Sequence, residues 1–174
     1  HTSMRDELFL QICKQTHLNP RQTSNARGWS LMLICLLSFL PSKHLRIMDH
    51  IDRTIAATPQ AKVKEMAGLA KIIMAMQESA PARAEVPPAI EVEQVAKLEL
   101  IPVEVKLPPL TRGGEPEGVK ILVDPLMTIA EAELLVAKKV GLRFRVAFGL
   151  YEANAKTMEA CLDTRRVCDV MSSW

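Results

Sequence analysis

The sequence predicts an α+β protein in which an N-terminal all-α helical bundle precedes a small mixed-sheet roll. Up to residue 80, apolar side chains recur at helical spacing. A proline-containing stretch follows, and the last part of the chain alternates apolar and polar residues as strands do. At 174 residues, the chain is long enough for one ordinary domain or two small ones.

The first two predicted helices flank Asn19-Pro20. Residues 5–17 form the first helix, and residues 1–4 resemble the remnant of an affinity tag and are left out of the fold. The second helix, capped by Ser24 or Asn25, carries no charge after Arg27, is mostly apolar and ends at Pro41. A membrane-spanning helix needs about 20 apolar residues, which this run does not reach. We therefore predict no membrane insertion and a central helix surrounded by other helices.

The third and fourth predicted helices complete the bundle. Ser42 is expected to cap a helix over residues 43–57, and Thr58-Pro59 to start a helix over residues 61–79. Gly28 lies inside the apolar helix, where glycine costs about 1 kcal/mol relative to alanine. We therefore expect another part of the chain to pack closely against Gly28.

The pattern changes after residue 79. Residues 81–96 are rich in proline and show no helical stripe, which predicts a linker or an ordered strap. Strands are predicted at residues 98–108, 118–125 and 145–153, with a helix at 129–140 between the second and third. Thr128 and Glu131 form a capping-box pattern ahead of this helix, and Gly141 follows it. The order strand, strand, helix, strand indicates a roll of ubiquitin type.

No arrangement of residues indicates catalysis. The glycines form no phosphate-binding loop, and the nucleophile-elbow and zinc-protease motifs are missing. His44 and His50 are six positions apart, which is the wrong spacing for a metal pair on one helix face. Asp49 and Asp52 lie among basic residues, as on a solvated helix face. We predict a protein that is not an enzyme and holds no cofactor or metal.

The charge distribution favours a local basic surface. The net charge is only +2, which gives no global field for nucleic acid. Ten Lys and Arg oppose six acidic residues up to residue 80, whereas eleven oppose eleven from residue 97 onward. A basic face on the helices could bind an acidic polymer such as a microtubule, or an acidic protein partner. The four cysteines show no metal or framework spacing, which favours reduced thiols in the cytoplasm.

Three motifs follow one another along the helical part. The first is Asp6-Glu7 followed by Q-I-C-K-Q at residues 11–15. Arg27-Gly28-Trp29 then opens an apolar helix that closes on F-L-P-S at residues 39–42. The third motif is Arg83 followed by Pro87-Pro88 and then Glu91. Together these motifs resemble a myosin-tail homology 4 domain joined to a FERM domain, as in tails of unconventional myosins and certain kinesins.

The resemblance implies three segments. Residues 5–80 are similar to the C-terminal part of a myosin-tail homology 4 domain, residues 81–96 to its proline-containing linker or strap, and residues 97–174 to the first, ubiquitin-like FERM lobe. Leu40 and Ala89 stand where the family usually has Pro and Ser. The earlier helices and the later FERM lobes of the family are not in this sequence, so we expect either a fragment of a larger kinesin or myosin tail or a reduced version of such a tail.

The family resemblance also implies a function. We expect a non-catalytic, cytoplasmic and cytoskeleton-associated module that attaches a motor tail to cargo peptides, proteins or microtubules. A scaffold or regulatory domain of a small-GTPase-signalling protein is the alternative. The residues assigned to microtubule or partner contact are Lys43, Arg46, Arg53, Lys62 and Lys64, hereafter the cationic set.

Overall fold

The structure, a computed structural model, describes residues 2–79, 83, 85–108, 117–142, 149–153 and 156–172. The chain divides into two compact units, His1–Glu99 and Leu100–Trp174. The described part of the first unit is helical, and all strands of the described residues lie in the second. The predicted α+β class is confirmed. The segment boundaries 5–80, 81–96 and 97–174 stay a prediction.

The first unit, hereafter the helical unit, is built around one buried helix. Its elements are α1 (Thr2–Thr16), α2 (Gln22–Ser38), a 3-10 turn (Lys43–Leu45), α3 (Ile47–Ala57), α4 (Ala61–Ser79) and α5 (Ala89–Lys97). The apolar helix α2 packs against α1, α4 and α5. Trp29, Leu33 and Leu36 on α2 have no exposed surface. Because burial of each large side chain contributes roughly 1.5–3 kcal/mol, α2 is a main source of the unit's stability.

Two expectations about the starts of α1 and α2 are wrong. Helix α1 begins at Thr2, so residues 2–4 belong to the fold. Helix α2 begins at Gln22 with Arg21 as its N-cap residue, and neither Ser24 nor Asn25 caps it. Asn25 is instead buried and donates from Nδ2 to Oε1 of Gln60, 3.1 Å away. It therefore ties α2 to the residue that precedes α4.

Gly28 allows α1 and α2 to approach closely. A Cβ atom at this position would lie 2.5 Å from the Cγ2 atom of Thr16, far inside normal contact distance. This contact confirms the expectation that glycine stands here for a packing reason.

The carboxylate of Asp6 stabilises the chain just before the 3-10 turn. The backbone N–H of Ser42 donates to Oδ1 of Asp6 at 2.9 Å. Hydrogen bonds from the side chain and the backbone of Ser42 lower the pKa of Asp6 below its ordinary value. Asp6 lies in the second turn of α1, so its carboxylate stabilises a distant part of the chain and does not cap its own helix.

The helix predicted over residues 43–57 is broken at Arg46. This residue has a left-handed backbone, with φ of 50° and ψ of 41°, and separates the 3-10 turn from α3. Ser42 precedes the 3-10 turn and its side chain makes no capping bond. A single continuous helix is therefore the wrong description of this segment.

Helix α5 contradicts the expectation that residues 81–96 carry no helix. Its buried face contains Glu91 and Val95, so a glutamate occupies a core position and obscures the apolar periodicity. Arg83 binds this carboxylate in bidentate fashion, with Nη1–Oε1 and Nη2–Oε2 distances of 2.8 Å each. The Arg, Pro-Pro, Glu motif of the sequence thus contains a buried ion pair.

The second unit contains the strands and two further helices. Its elements are β1 (Ile101–Leu107), β2 (Glu117–Val123), α6 (Ile129–Val140), β3 (Tyr151–Ala153), β4 (Met158–Ala160) and α7 (Val167–Met171). Strands β1 and β2 are antiparallel, with Ile101 opposite Val123, and α6 packs on β2. The side chains of Ile121 and Val123 are buried.

The ends of α6 follow the sequence prediction. The N–H of Glu131 donates to Oγ1 of Thr128 at 3.4 Å, and the N–H of Thr128 donates to Oε2 of Glu131 at 2.8 Å. Gly141 closes the helix with a left-handed φ of 73°. Both predictions are confirmed.

The third predicted strand, residues 145–153, is only partly described. Its last three residues form β3, which pairs antiparallel with β4, a strand that the sequence did not predict. Residues 145–148 lie outside the described residues, as do most of residues 109–118. The predicted mixed sheet of the roll involves these residues, so that prediction lies outside the described part of the chain.

Candidate partner-binding surface

All five members of the cationic set have exposed side chains. Lys43 lies in the 3-10 turn, Arg46 follows that turn, Arg53 lies on α3, and Lys62 and Lys64 lie in the first turns of α4. The side chain of Arg46 is 78% exposed although Nη2 lies 2.6 Å from Oδ2 of Asp49. Among the described residues, this is the one salt bridge that a member of the set makes. The set can therefore be reached by an acidic partner.

The structure brings two members of the set together at an open groove of about 950 Å³ between α1 and α3. We call it the α1–α3 groove. Arg46 and Arg53 line it, whereas Lys43, Lys62 and Lys64 are not among the residues that do so. The complete lining is Leu10, Cys13, Lys14, His17, Leu45, Arg46, Ile47, Asp49, His50, Asp52 and Arg53.

Lys14 is a groove cation that the sequence analysis missed. It lies on α1 one residue after Cys13 and four after Leu10, and all three line the groove. Together with His17 they follow the spacing i, i+3, i+4, i+7, which places side chains on one helix face. This spacing is the sequence signal that could have identified Lys14.

His50 is a buried residue that lines the groove, and its ring is neutral. Thr16 donates its hydroxyl proton to the carbonyl of Ile12 at 2.8 Å, and its oxygen lies 2.9 Å from Nε2 of His50. The hydroxyl therefore accepts a hydrogen bond from Nε2–H. The His50 ring stacks on Trp29 with centroids 5.5 Å apart and planes 5° from parallel.

Burial lowers the pKa of His50 to about 4, with a further contribution from the neighbouring His17 and Arg53. At neutral pH, His50 thus contributes no positive charge to the groove. Burial also raises the pKa of the Cys13 thiol to about 11, so this side chain is an uncharged, weakly nucleophilic thiol. The groove's positive charge therefore comes from Lys14, Arg46 and Arg53.

The two acidic residues of the groove are already paired with cations. Asp49 contacts Arg46, and Asp52 lies 2.7 Å from Nζ of Lys71 on α4. Arg53 donates from Nε to the backbone carbonyl of Asp49 at 3.0 Å. No salt bridge of the described residues involves Lys14 or Arg53. The groove consequently retains a net positive charge.

Other kinds of site find no support in the described part of the chain. No group of three or more His, Cys, Asp or Glu side chains there could hold a metal ion. Within the same residues, no helix is both long and apolar enough to cross a membrane. All four cysteines are free thiols.

Two protein-family models match the chain. The model of the MyTH4 domain matches residues 1–94, which are more than half of the 174 residues. The model described as an RA like domain matches residues 117–174.

Curated relatives come from several classes of protein. Unconventional myosin-VIIb of Mus musculus is 33% identical over 150 residues, which cover 86% of this chain and 6% of the relative. Kinesin-like protein KIN-14I of Oryza sativa subsp. japonica is 30% identical over 156 residues, covering 88% and 12%. Pleckstrin homology domain-containing family H member 3 of Rattus norvegicus is 29% identical over 182 residues, covering 98% and 22%. The chain thus spans less than a quarter of each relative.

Solved structures similar to this chain include two tandem domains of myosins. The myosin VII MyTH4-FERM MF1 domain of Dictyostelium discoideum (mutant 2) aligns with a TM-score of 0.80 and 25% identity, over 98% of this chain and 34% of that chain. The C-terminal MyTH4-FERM domain of human myosin 7b, in complex with the harmonin-a PDZ3 domain, aligns with a TM-score of 0.74 over 99% and 34%. Its identity of 19% shows a shared fold alone.

Proposed function

We propose that this chain, which belongs to the MyTH4 domain family, is a non-catalytic module that attaches a motor-protein tail to a protein partner. A myosin and a kinesin-like protein are among its relatives, and the chain aligns along nearly its whole length with a MyTH4-FERM tandem. Because it spans a small share of these relatives, the motor parent is itself part of the proposal. The alternative of a small-GTPase-signalling scaffold gains no support from the named relatives.

The partner surface in this proposal is acidic, and the microtubule is our specific candidate. The exposed cationic set of the helical unit is the observation that carries this assignment. Exposed lysines and arginines steer an acidic partner toward the surface and position it by long-range attraction. Cytoskeletal association of the parent protein follows from the same proposal. Attachment to another protein is also part of it, since the human myosin 7b tandem forms a complex with the harmonin-a PDZ3 domain.

The proposal is tested by co-sedimentation with microtubules after charge reversal. We expect Lys62→Glu/Lys64→Glu to weaken binding, because both side chains are exposed members of the set. Lys106→Glu/Lys138→Glu makes the same charge change at exposed positions of the second unit and is the matched control. Equal weakening by both double variants would show that net charge alone governs binding and would refute the assigned surface.

A further inference from the structure

We infer that the α1–α3 groove is a second attachment site of the helical unit and binds a short acidic peptide segment with at least one large apolar side chain. The inference deepens the proposed function and rests on it, since it takes the helical unit as the part that contacts partners. The groove shares Arg46 and Arg53 with the cationic set, whereas Lys62 and Lys64 do not line it.

The groove combines an apolar floor with a cationic rim. Three apolar side chains line the groove and form its floor: Leu10 and Leu45, which are half-buried, and Ile47, which is 3% exposed. The exposed side chains of Lys14 and Arg53 lie at its edge. A groove that buries an apolar anchor while charges at the rim set orientation is a common way to recognise a peptide.

The charge of the rim selects an acidic occupant. Asp49 and Asp52 are engaged by Arg46 and Lys71, whereas Lys14 and Arg53 make no salt bridge among the described residues. A peptide carboxylate can pair with Arg53 in the planar geometry that guanidinium favours. A basic peptide would instead place like charges together at the same rim, which is unfavourable.

The chain turns at Arg46, in the middle of three consecutive residues that line the groove. A non-glycine residue in the left-handed region is uncommon and is strained, and here it turns the chain between the 3-10 turn and α3. The break places Leu45, Arg46 and Ile47 at the groove, whereas a continuous helix over residues 43–57 would follow a different path. Strain of this kind persists only where the surrounding structure fixes the conformation.

The test is fluorescence anisotropy with three labelled peptides of equal length and the 174-residue chain. The probe is a glutamate-rich peptide with leucine at every fourth position. A glutamate-rich peptide without leucine and a lysine-rich peptide with the same leucines are the controls. We expect the first peptide to bind about tenfold more tightly than either control, because it alone offers both leucines for the apolar floor and carboxylates for the cationic rim.

Groove variants locate the binding. We expect Lys14→Glu/Arg53→Glu to lower the affinity for the first peptide by about tenfold or more. Lys62→Glu/Lys64→Glu should leave that affinity within about twofold of the unaltered chain. Circular dichroism of each variant confirms that the exposed substitutions leave the fold intact. Microtubule binding serves as the separate readout of the proposed function, so failure of the peptide test alone would overturn only the groove assignment.

Three results would overturn the inference. The first is equal affinity for the glutamate-rich peptides with and without leucine. The second is an equal loss of peptide affinity in Lys14→Glu/Arg53→Glu and in Lys62→Glu/Lys64→Glu. The third is self-association of the chain that Lys14→Glu/Arg53→Glu abolishes. The last result would assign the groove to a second copy of this chain.

Discussion

The buried pair between Arg83 and Glu91 gives the sharpest prediction about stability. Their side chains are 0% and 1% exposed, and two hydrogen bonds of 2.8 Å join the guanidinium to the carboxylate. Glu91→Ala removes the carboxylate and leaves the cation without it in a low-dielectric environment. Breaking a buried pair in this way typically costs about 3–5 kcal/mol. Because a domain is stable by only about 5–15 kcal/mol, this loss is a large share of the total.

The same helix supplies a matched control. Glu93 on α5 pairs with Lys97, but those side chains are 62% and 49% exposed. Glu93→Ala should therefore change stability little, since exposed pairs are screened by solvent. Chemical and thermal unfolding followed by circular dichroism measure both variants. We expect Glu91→Ala to lower the midpoint temperature by more than about 10 °C.

A double substitution separates the cost of breaking the pair from the net value of the pair. Arg83→Met/Glu91→Leu replaces both groups by apolar side chains of similar size and should recover most of the lost stability. Equal destabilisation by Glu91→Ala and Glu93→Ala, or a double variant less stable than Glu91→Ala, would contradict the assigned role of the buried pair.

Three further predictions concern the helical unit. The pKa of His50 is lowered to about 4 from an ordinary 6.5, so the unfolded chain binds more protons between these values. His50 therefore contributes stability that is present above pH 6.5 and is lost as the pH falls toward 4, by about 3 kcal/mol in all. The free energy of unfolding, measured at several pH values, should fall over this range, and His50→Gln should flatten the slope. An unchanged slope in His50→Gln would contradict the buried neutral ring. Gly28→Ala should destabilise the helical unit by about 1–3 kcal/mol, because the new methyl group clashes with Thr16. Gly68→Ala on α4, where a Cβ atom meets nothing within 4 Å, should stabilise it by about 0.5–1 kcal/mol. If denaturant unfolding shows both variants changing stability in the same direction, the close approach of α1 and α2 is contradicted. Leu36→Asp should unfold the helical unit, because Leu36 has no exposed surface. Leu31→Asp on the same helix is the control and should leave the unit folded, since Leu31 is 44% exposed. A soluble Leu36→Asp chain that is fully helical by circular dichroism would refute the central position of α2.

Local signals in the sequence predicted several elements correctly. The capping box at Thr128 and Glu131, the glycine at 141 and the buried apolar helix all depend on residues close in sequence. Gly28 was also interpretable, because glycine in a helix is costly unless something packs against it. Features of this kind are determined within a few residues and need no knowledge of distant partners.

Features that depend on distant partners escaped the sequence analysis. Helix α5 was missed because Glu91 occupies a core position, which is stable only with Arg83 eight residues earlier. The break at Arg46 has no glycine or proline to signal it. The helical spacing places Lys14 on one face of α1, but only the packing of α3 beside α1 makes that face one side of a groove. The cationic set was read from charge alone, which does not reveal which members share a surface.

The most direct test of the central claim is the affinity of the unaltered chain for microtubules as a function of salt. Screening shortens the range of charge interactions from about 30 Å at 0.01 M salt to about 8 Å at 0.15 M. Attachment through the exposed cationic set predicts clear co-sedimentation at low ionic strength that weakens steadily as salt is added. Failure to bind at low ionic strength, or binding that salt does not change, would contradict it.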